Sequence, residues 1–163
     1  MVRRVGGRTG TFITSRATLA LLVALATSVA GANQGLTFGV SLNPIDLVAN
    51  ASVTVPMFVT GEAQHAARAD VSYAFRGLPA VSATYLLRDA EPQGVQTYVG
   101  AGAGVGFLDG TSLQPMVTLH GLAGGVVPVV GGLGAFGEVV VGGNALATTM
   151  RLAFGVSYAL GGD

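Results

Sequence analysis

The 163-residue chain contains no cysteine, no lysine and no tryptophan, and only 10% of it is charged. Without cysteine it has neither a disulfide nor a thiolate metal site, although an oxidising compartment would permit the former. Without lysine, and with only four arginines beyond residue 32, the chain past that point lacks the clustered cations that nucleic acid or an anionic lipid surface demands. Its two histidines, His65 and His120, stand too far apart for a paired metal-ligand motif. No G-x-S-x-G nucleophile motif occurs. The glycines from Gly100 to Gly106 lack the following helix and Lys-Ser/Thr of a nucleotide loop. Catalysis, cofactor binding and metal binding are therefore not expected. Beyond residue 32 no apolar run approaches the ~20 residues of a helical membrane span.

What is present is apolar and small: 50% hydrophobic residues, 26 glycines and a mean hydropathy of +0.62. A soluble domain carries about 25% charged residues. A chain this apolar hides in lipid or associates heavily. The N-terminus explains part of the excess. Arg3, Arg4, Arg8 and Arg16 precede an apolar stretch from Ala17 to Ala26, followed by the small residues Ser28-Val29-Ala30-Gly31-Ala32. That order predicts a signal peptide over residues 1–32. Cleavage is expected after Ala32, with Ala30 the second choice, leaving a mature domain over 33–163. Arg3-Arg4 lies far from the apolar core, which favours general secretion over twin-arginine export. The mature part has four arginines against eight acids, a net charge of −4.

That part alternates with period 2, the mark of strands with two unlike faces. Eight strands are predicted. The first sets Leu36, Phe38, Val40 and Leu42 against Thr37, Gly39, Ser41 and Asn43. The second sets Ala51, Val53, Val55, Met57 and Val59 against Ser52, Thr54, Pro56, Phe58 and Thr60, with a bulge at Pro56, which cannot donate to a ladder. The third, Arg68–Arg76, sets Ala69, Val71, Tyr73 and Phe75 against Arg68, Asp70 and Ser72; the fourth sets Val81, Ala83, Tyr85 and Leu87 against Ser82, Thr84, Leu86 and Arg88. The fifth is 97–107, with glycine along one face; the sixth, about 114–126, is the least regular; the seventh is about 133–142. The eighth sets Met150, Leu152, Phe154, Val156, Tyr158 and Leu160 against Arg151, Ala153, Gly155, Ser157 and Ala159. Turn residues such as Gly61-Glu62 and Gly131-Gly132 separate them. Ten residues at ~3.3 Å, tilted by ~45°, span about 23 Å, which matches the apolar band of an outer-membrane barrel.

Alternation alone fits a soluble barrel or sandwich too, with the apolar face inward. Two features favour lipid outside. The second face carries Gly, Ser, Thr and Ala, where a solvated face would carry Lys and Glu. An eight-stranded barrel is also only wide enough for side chains to fill, and Leu, Phe, Tyr, Val and Met from every strand would overfill it. The expected fold is therefore an all-β, eight-stranded antiparallel up-and-down transmembrane β-barrel. Phe38, Tyr73, Phe75, Tyr85, Phe107, Phe154 and Tyr158 are candidates for interfacial girdles.

All four mature arginines fall on the inward face. A hairpin centred between Asn144 and Ala145 would set Glu138 opposite Arg151. One centred on Pro79 would set Asp70 opposite Arg88 and Tyr73 opposite Tyr85. Both acid–arginine pairs are candidate lumenal ion pairs, because a buried charge needs a partner; the alternative is that these charges sit in solvent at the rims. His65 reads as a solvated turn residue within Glu62–His65. His120 reads as a structural histidine; a hydrolase-like set with a serine and Glu138 is the lesser alternative.

The stretch Asn33–Gly161 resembles the eight-stranded outer-membrane barrels typified by the transmembrane domain of outer-membrane protein A. Tyr98-Val99-Gly100-Ala101-Gly102-Ala103-Gly104-Val105-Gly106-Phe107 looks like the glycine-rich strand of that group. Gly155-Val156-Ser157-Tyr158-Ala159-Leu160 is similar to the C-terminal strand read by the barrel-insertion machinery, though this chain ends Gly161-Gly162-Asp163 and not on an aromatic residue. The resemblance implies residence in the outer membrane, contact with its lipid, and that machinery as a partner during biogenesis. Such barrels serve as envelope-stabilising proteins, adhesins, small pores or, less often, lipid-modifying enzymes. Short connections argue against a recognition surface, and a filled lumen against a wide pore. The expected role is structural and envelope-associated, without catalysis. The rival reading is a secreted soluble β-barrel or sandwich that binds a small apolar ligand.

Overall fold

The computed structural model describes residues 35–74, 79–92, 94–107, 115–144 and 147–160. The expected leader over 1–32 and its cleavage point lie outside these residues, as do Phe75, Arg76 and the Phe107 side chain. Eight antiparallel strands close into one up-and-down barrel. They are β1 (Leu36–Asn43), β2 (Val48–Thr60), β3 (Ala63–Ala74), β4 (Ala80–Asp89), β5 (Gln96–Phe107), β6 (Pro115–Val130), β7 (Leu133–Gly143) and β8 (Thr148–Leu160). Closure comes from β8 pairing with β1, Val40 facing Val156. The start of β1, the end of β8 and the turns after β2, β4 and β6 share the terminal end of the barrel. The other four connections form the loop end.

Each element follows from local sequence. Glycine at positive φ makes the tight turns: Gly61 at +61°, and Gly131 and Gly132 at +54° and +80°. Two consecutive positive values give the hairpin turn whose twist matches that of the flanking strands. Asn43 holds the β1–β2 connection, its Oδ1 accepting from the backbone N–H of Ile45 at 2.9 Å and of Asp46 at 3.2 Å. Pro56 does interrupt its ladder: the β2–β3 register shifts between Pro56 and Phe58.

The faces divide as the alternation predicts. Val40, Leu119, Phe154 and Val156 expose more than half of their surface on the outside, and Val105 more than a third. Ser41, Asn43, Thr54, Arg68, Asp70, Thr84, Glu138 and Ser157 are buried inside. This inversion of the soluble pattern excludes the secreted barrel with an apolar lumen, and closure excludes the sandwich. Ala66, Leu86, Leu122 and Tyr98 form a small apolar cluster inside the barrel, with Val126 and Val140 packed against it.

Three local expectations are corrected. β3 begins at Ala63, not Arg68, because the turn is only Gly61-Glu62. His65 is therefore a strand residue on the outward face. The bulge also turns Phe58 outward, where it stacks on His65 with ring centroids 4.3 Å apart, and Tyr85 hydrogen-bonds the His65 Nδ1. Finally, Tyr85 faces Ala67, not Tyr73.

Candidate functional site: a charged septum in the lumen

The lumen is crossed at mid-height by charged side chains from opposite walls. Arg68 on β3 and Glu138 on β7 stand four strands apart in a ring of eight, so they face each other across the axis. Arg68 Nη1 donates to Glu138 Oε2 at 2.8 Å, and Nη2 to Oε1 at 3.0 Å. This fork-to-carboxylate geometry is the strong form of the contact. Arg68 Nε lies 2.9 and 3.1 Å from the carboxylate oxygens of Asp70. Residues two apart on a strand share a face, which is why Arg68 and Asp70 meet. Tyr98 on β5 donates its hydroxyl to Glu138 Oε2 at 3.0 Å. On the other flank Asn50 Nδ2 donates to Asp70 at 3.1 Å, and Ser72 Oγ to Asn50 Oδ1 at 3.2 Å.

Glycine makes the crossing possible. Tyr98, Gly124 and Glu138 are cross-strand neighbours on β5, β6 and β7. A Cβ on Gly124 would sit 2.7 Å from the Tyr98 hydroxyl oxygen and 2.7 Å from the Gly137 carbonyl. Without it the phenol lies across β6 and reaches the carboxylate. Thr84, Gly102 and His120 repeat the device on β4, β5 and β6. There Thr84 Oγ1 and His120 Nε2 bond across the glycine at 2.8 Å.

The septum separates two wells, and Arg68 borders both. The loop-end well holds about 410 Å³ and is lined by Ser41, Asn50, Asp70, His120 and Glu138. The terminal-end well holds about 350 Å³ and is lined by Ser52, Leu86, Arg88, Tyr98 and Phe136.

The acids expected to pair do so inside the barrel, but with a different arginine. Glu138 faces Ala153, and Arg151 faces Val140. The β7–β8 ladder is offset from a hairpin centred between Asn144 and Ala145, so every partner moves by two. Arg151 instead sits at the loop-end rim, 3.5 Å from Asp46, with both side chains nearly half exposed. Asp70 faces Ser82, and Arg88 faces Gln64. The β3–β4 ladder is offset from a hairpin centred on Pro79, so partners shift by six. Both shifts are even, so each residue kept its face while losing its partner. Arg68 and Tyr98 were the members not foreseen. The available signal was Arg68 beside Asp70 on the inward face, and Tyr98 heading the glycine face.

No protein-family model and no curated protein matches the sequence. Solved structures do match. The N-terminal β-barrel domain of Pseudomonas aeruginosa OprF superposes with a TM-score of 0.57 at 14% identity, covering 77% of this chain and 96% of that one. A de novo designed transmembrane β-barrel gives 0.49 at 16% identity over 77% and 93%. The outer-membrane enzyme PagL gives 0.42 at 12% identity over 77% and 98%. In fold and in its outward apolar surface, the chain is a small eight-stranded outer-membrane-type β-barrel.

Proposed function

We propose that this chain is a structural, non-enzymatic barrel of the outer membrane, delivered by a signal peptide over residues 1–32 and folded there by the barrel-insertion machinery. The observation that carries this reading is the septum. Arg68, Glu138, Asp70 and Tyr98 tie opposite walls together at mid-height, the arrangement of a braced wall and not of an open conduit. The one loop-end connection whose residues are all described, 44–47 between β1 and β2, is short, which favours a role within the envelope over recognition outside it. His120 engages Thr84, and among the described residues no serine or carboxylate completes a hydrolytic set with it.

Fractionation of cells making the full chain tests the placement. The expected result is recovery with the outer membrane, extraction only by detergent, and a gel migration that changes on heating. Release into buffer as a monomer would overturn the reading. Deacylation of envelope lipid by the purified barrel, lost on His120→Ala, would overturn its non-enzymatic part.

A further inference from the structure

With Asp70 held by Arg68, the fourth lumen-wall charge, Arg88 on β4, is left over. Among the described residues it makes no ion pair, and its Nε is buried with no hydrogen-bond partner. Arg88 as a whole is half-buried and lines the well, so the cost falls on this one buried donor. Its neighbour in the ladder, Tyr98, turns its hydroxyl away to Glu138. The septum carries one excess negative charge, since Arg68 meets two carboxylates. Yet Tyr98 stands between Arg88 and Glu138 in the row Arg88, Tyr98, Gly124, Glu138.

Arg88 lines the terminal-end well. Its volume of about 350 Å³ falls at the lower end of small-ligand sites, roughly 300–1,000 Å³. The walls are sorted by strand. β1, β2 and β8 contribute the hydroxyls of Thr37, Ser52, Thr54 and Ser157; β6 and β7 contribute apolar Val126 and Phe136. Arg68 and Tyr98 of the septum line the well on its inner side.

We propose that this well binds a small organic monoanion with an apolar body, of the alkyl carboxylate type. The carboxylate pairs with Arg88, and the alkyl part lies against the β6–β7 side. One unpartnered guanidinium calls for one negative charge, and a guanidinium fork matches a carboxylate in plane. The apolar β6–β7 wall is what favours such a molecule over an inorganic anion, which would use only the guanidinium and the hydroxyls. This goes beyond the structural role and does not depend on it.

The test is a titration of the full barrel in detergent micelles, read at the arginine Nε–H signals in nitrogen-15 NMR. The probes are hexanoate, hexanol and inorganic phosphate. Hexanoate should give a saturable shift at the Arg88 signal, while hexanol and phosphate leave it unmoved. Arg88→Gln should weaken hexanoate binding by about ten- to a hundred-fold, the worth of a charge-assisted hydrogen bond. Its binding is then followed at backbone signals of β6 and β7, and heat-modifiable migration confirms that it is folded. Arg151→Gln, at the other end, should bind as the wild type does. No saturable shift with hexanoate, or equal binding by Arg88→Gln, overturns the proposal. So does phosphate binding as well as hexanoate, which would make the well a reader of charge alone. If Arg88 serves only as counter-charge to the septum, hexanoate fails to bind while Arg88→Gln loses stability, and the site does not exist.

Discussion

Removing the Glu138 carboxylate should weaken the barrel by an amount that can be worked from its partners. Glu138→Ala deletes two charge-assisted bonds from Arg68 and one from Tyr98. Breaking a buried pair from one side costs about 3–5 kcal/mol. Two features place this case at the bottom of that range. Asp70 still holds Arg68 Nε, and losing one of two carboxylates that share a single cation relieves their repulsion. The expected cost is about 3 kcal/mol. Arg68→Ala leaves both carboxylates buried without a cation and should cost more, about 4–5 kcal/mol. Asp70→Ala spares the bidentate pair and should cost roughly 1–2 kcal/mol. Arg151→Ala, at a rim pair open to solvent, should change stability little, as exposed ion pairs do. Urea unfolding of the barrel refolded in lipid vesicles measures all four, the folded fraction being read from the compact band on unheated gels. The ordering is the sharp part. If Glu138→Ala costs no more than Arg151→Ala, or costs more than Arg68→Ala, the septum does not brace the wall.

Four further outcomes are expected. Gly124→Ala drives a methyl into the Tyr98 ring and the Gly137 carbonyl and should cost about 1–3 kcal/mol in the urea assay. Gly121→Ala, whose nearest new neighbour is 3.7 Å away, should stay within about 0.5 kcal/mol. Val156→Arg, on the outward face, should lose about 2–4 kcal/mol of stability in vesicles if it lies near the bilayer midplane; an unchanged value would mean that this face does not meet hydrocarbon. Mass spectrometry of the exported protein should give an N-terminus at Asn33; intact Met1 would refute the cleavage expectation.

The faces were legible in the sequence and the partners were not, for one physical reason. Which side of a sheet a residue occupies depends only on parity, and parity survives any even error in register. Glu138, Asp70, Arg88 and Arg151 kept their faces through shifts of two and six residues. Which residue stands opposite depends on the location of a turn, and the residues between β3 and β4 offer several. Gly61, Gly131 and Gly132 were read as turn residues, and there φ is positive. Pairing across the lumen is a separate limit. Arg68 and Glu138 are 70 residues apart and share no hairpin, so a reading that matches charges only between adjacent strands cannot join them. It required the closed ring, and the ring appears only once β8 meets β1. His65 failed differently. Its turn-like flank Glu62-Ala63-Gln64 concealed a strand that the two-residue turn starts early.

The glycines connect these levels. In a barrel of eight strands the interior has little room, and a side chain must either fill its own position or lie over a neighbour. Gly100, Gly102 and Gly104 alternate down β5, and Gly124 sits on β6. Each is flanked on both sides by residues with side chains: Leu86 and Leu122, Thr84 and His120, Ser82 and Thr118, Tyr98 and Glu138. Every one of these four glycines would place a Cβ within 3 Å of a flanking atom. The empty positions lie beside the filled ones, so the flanking groups close over them and the wall is packed from the side. The same arrangement turns the Tyr98 hydroxyl to Glu138. In this lumen, glycine placement decides which charges find partners.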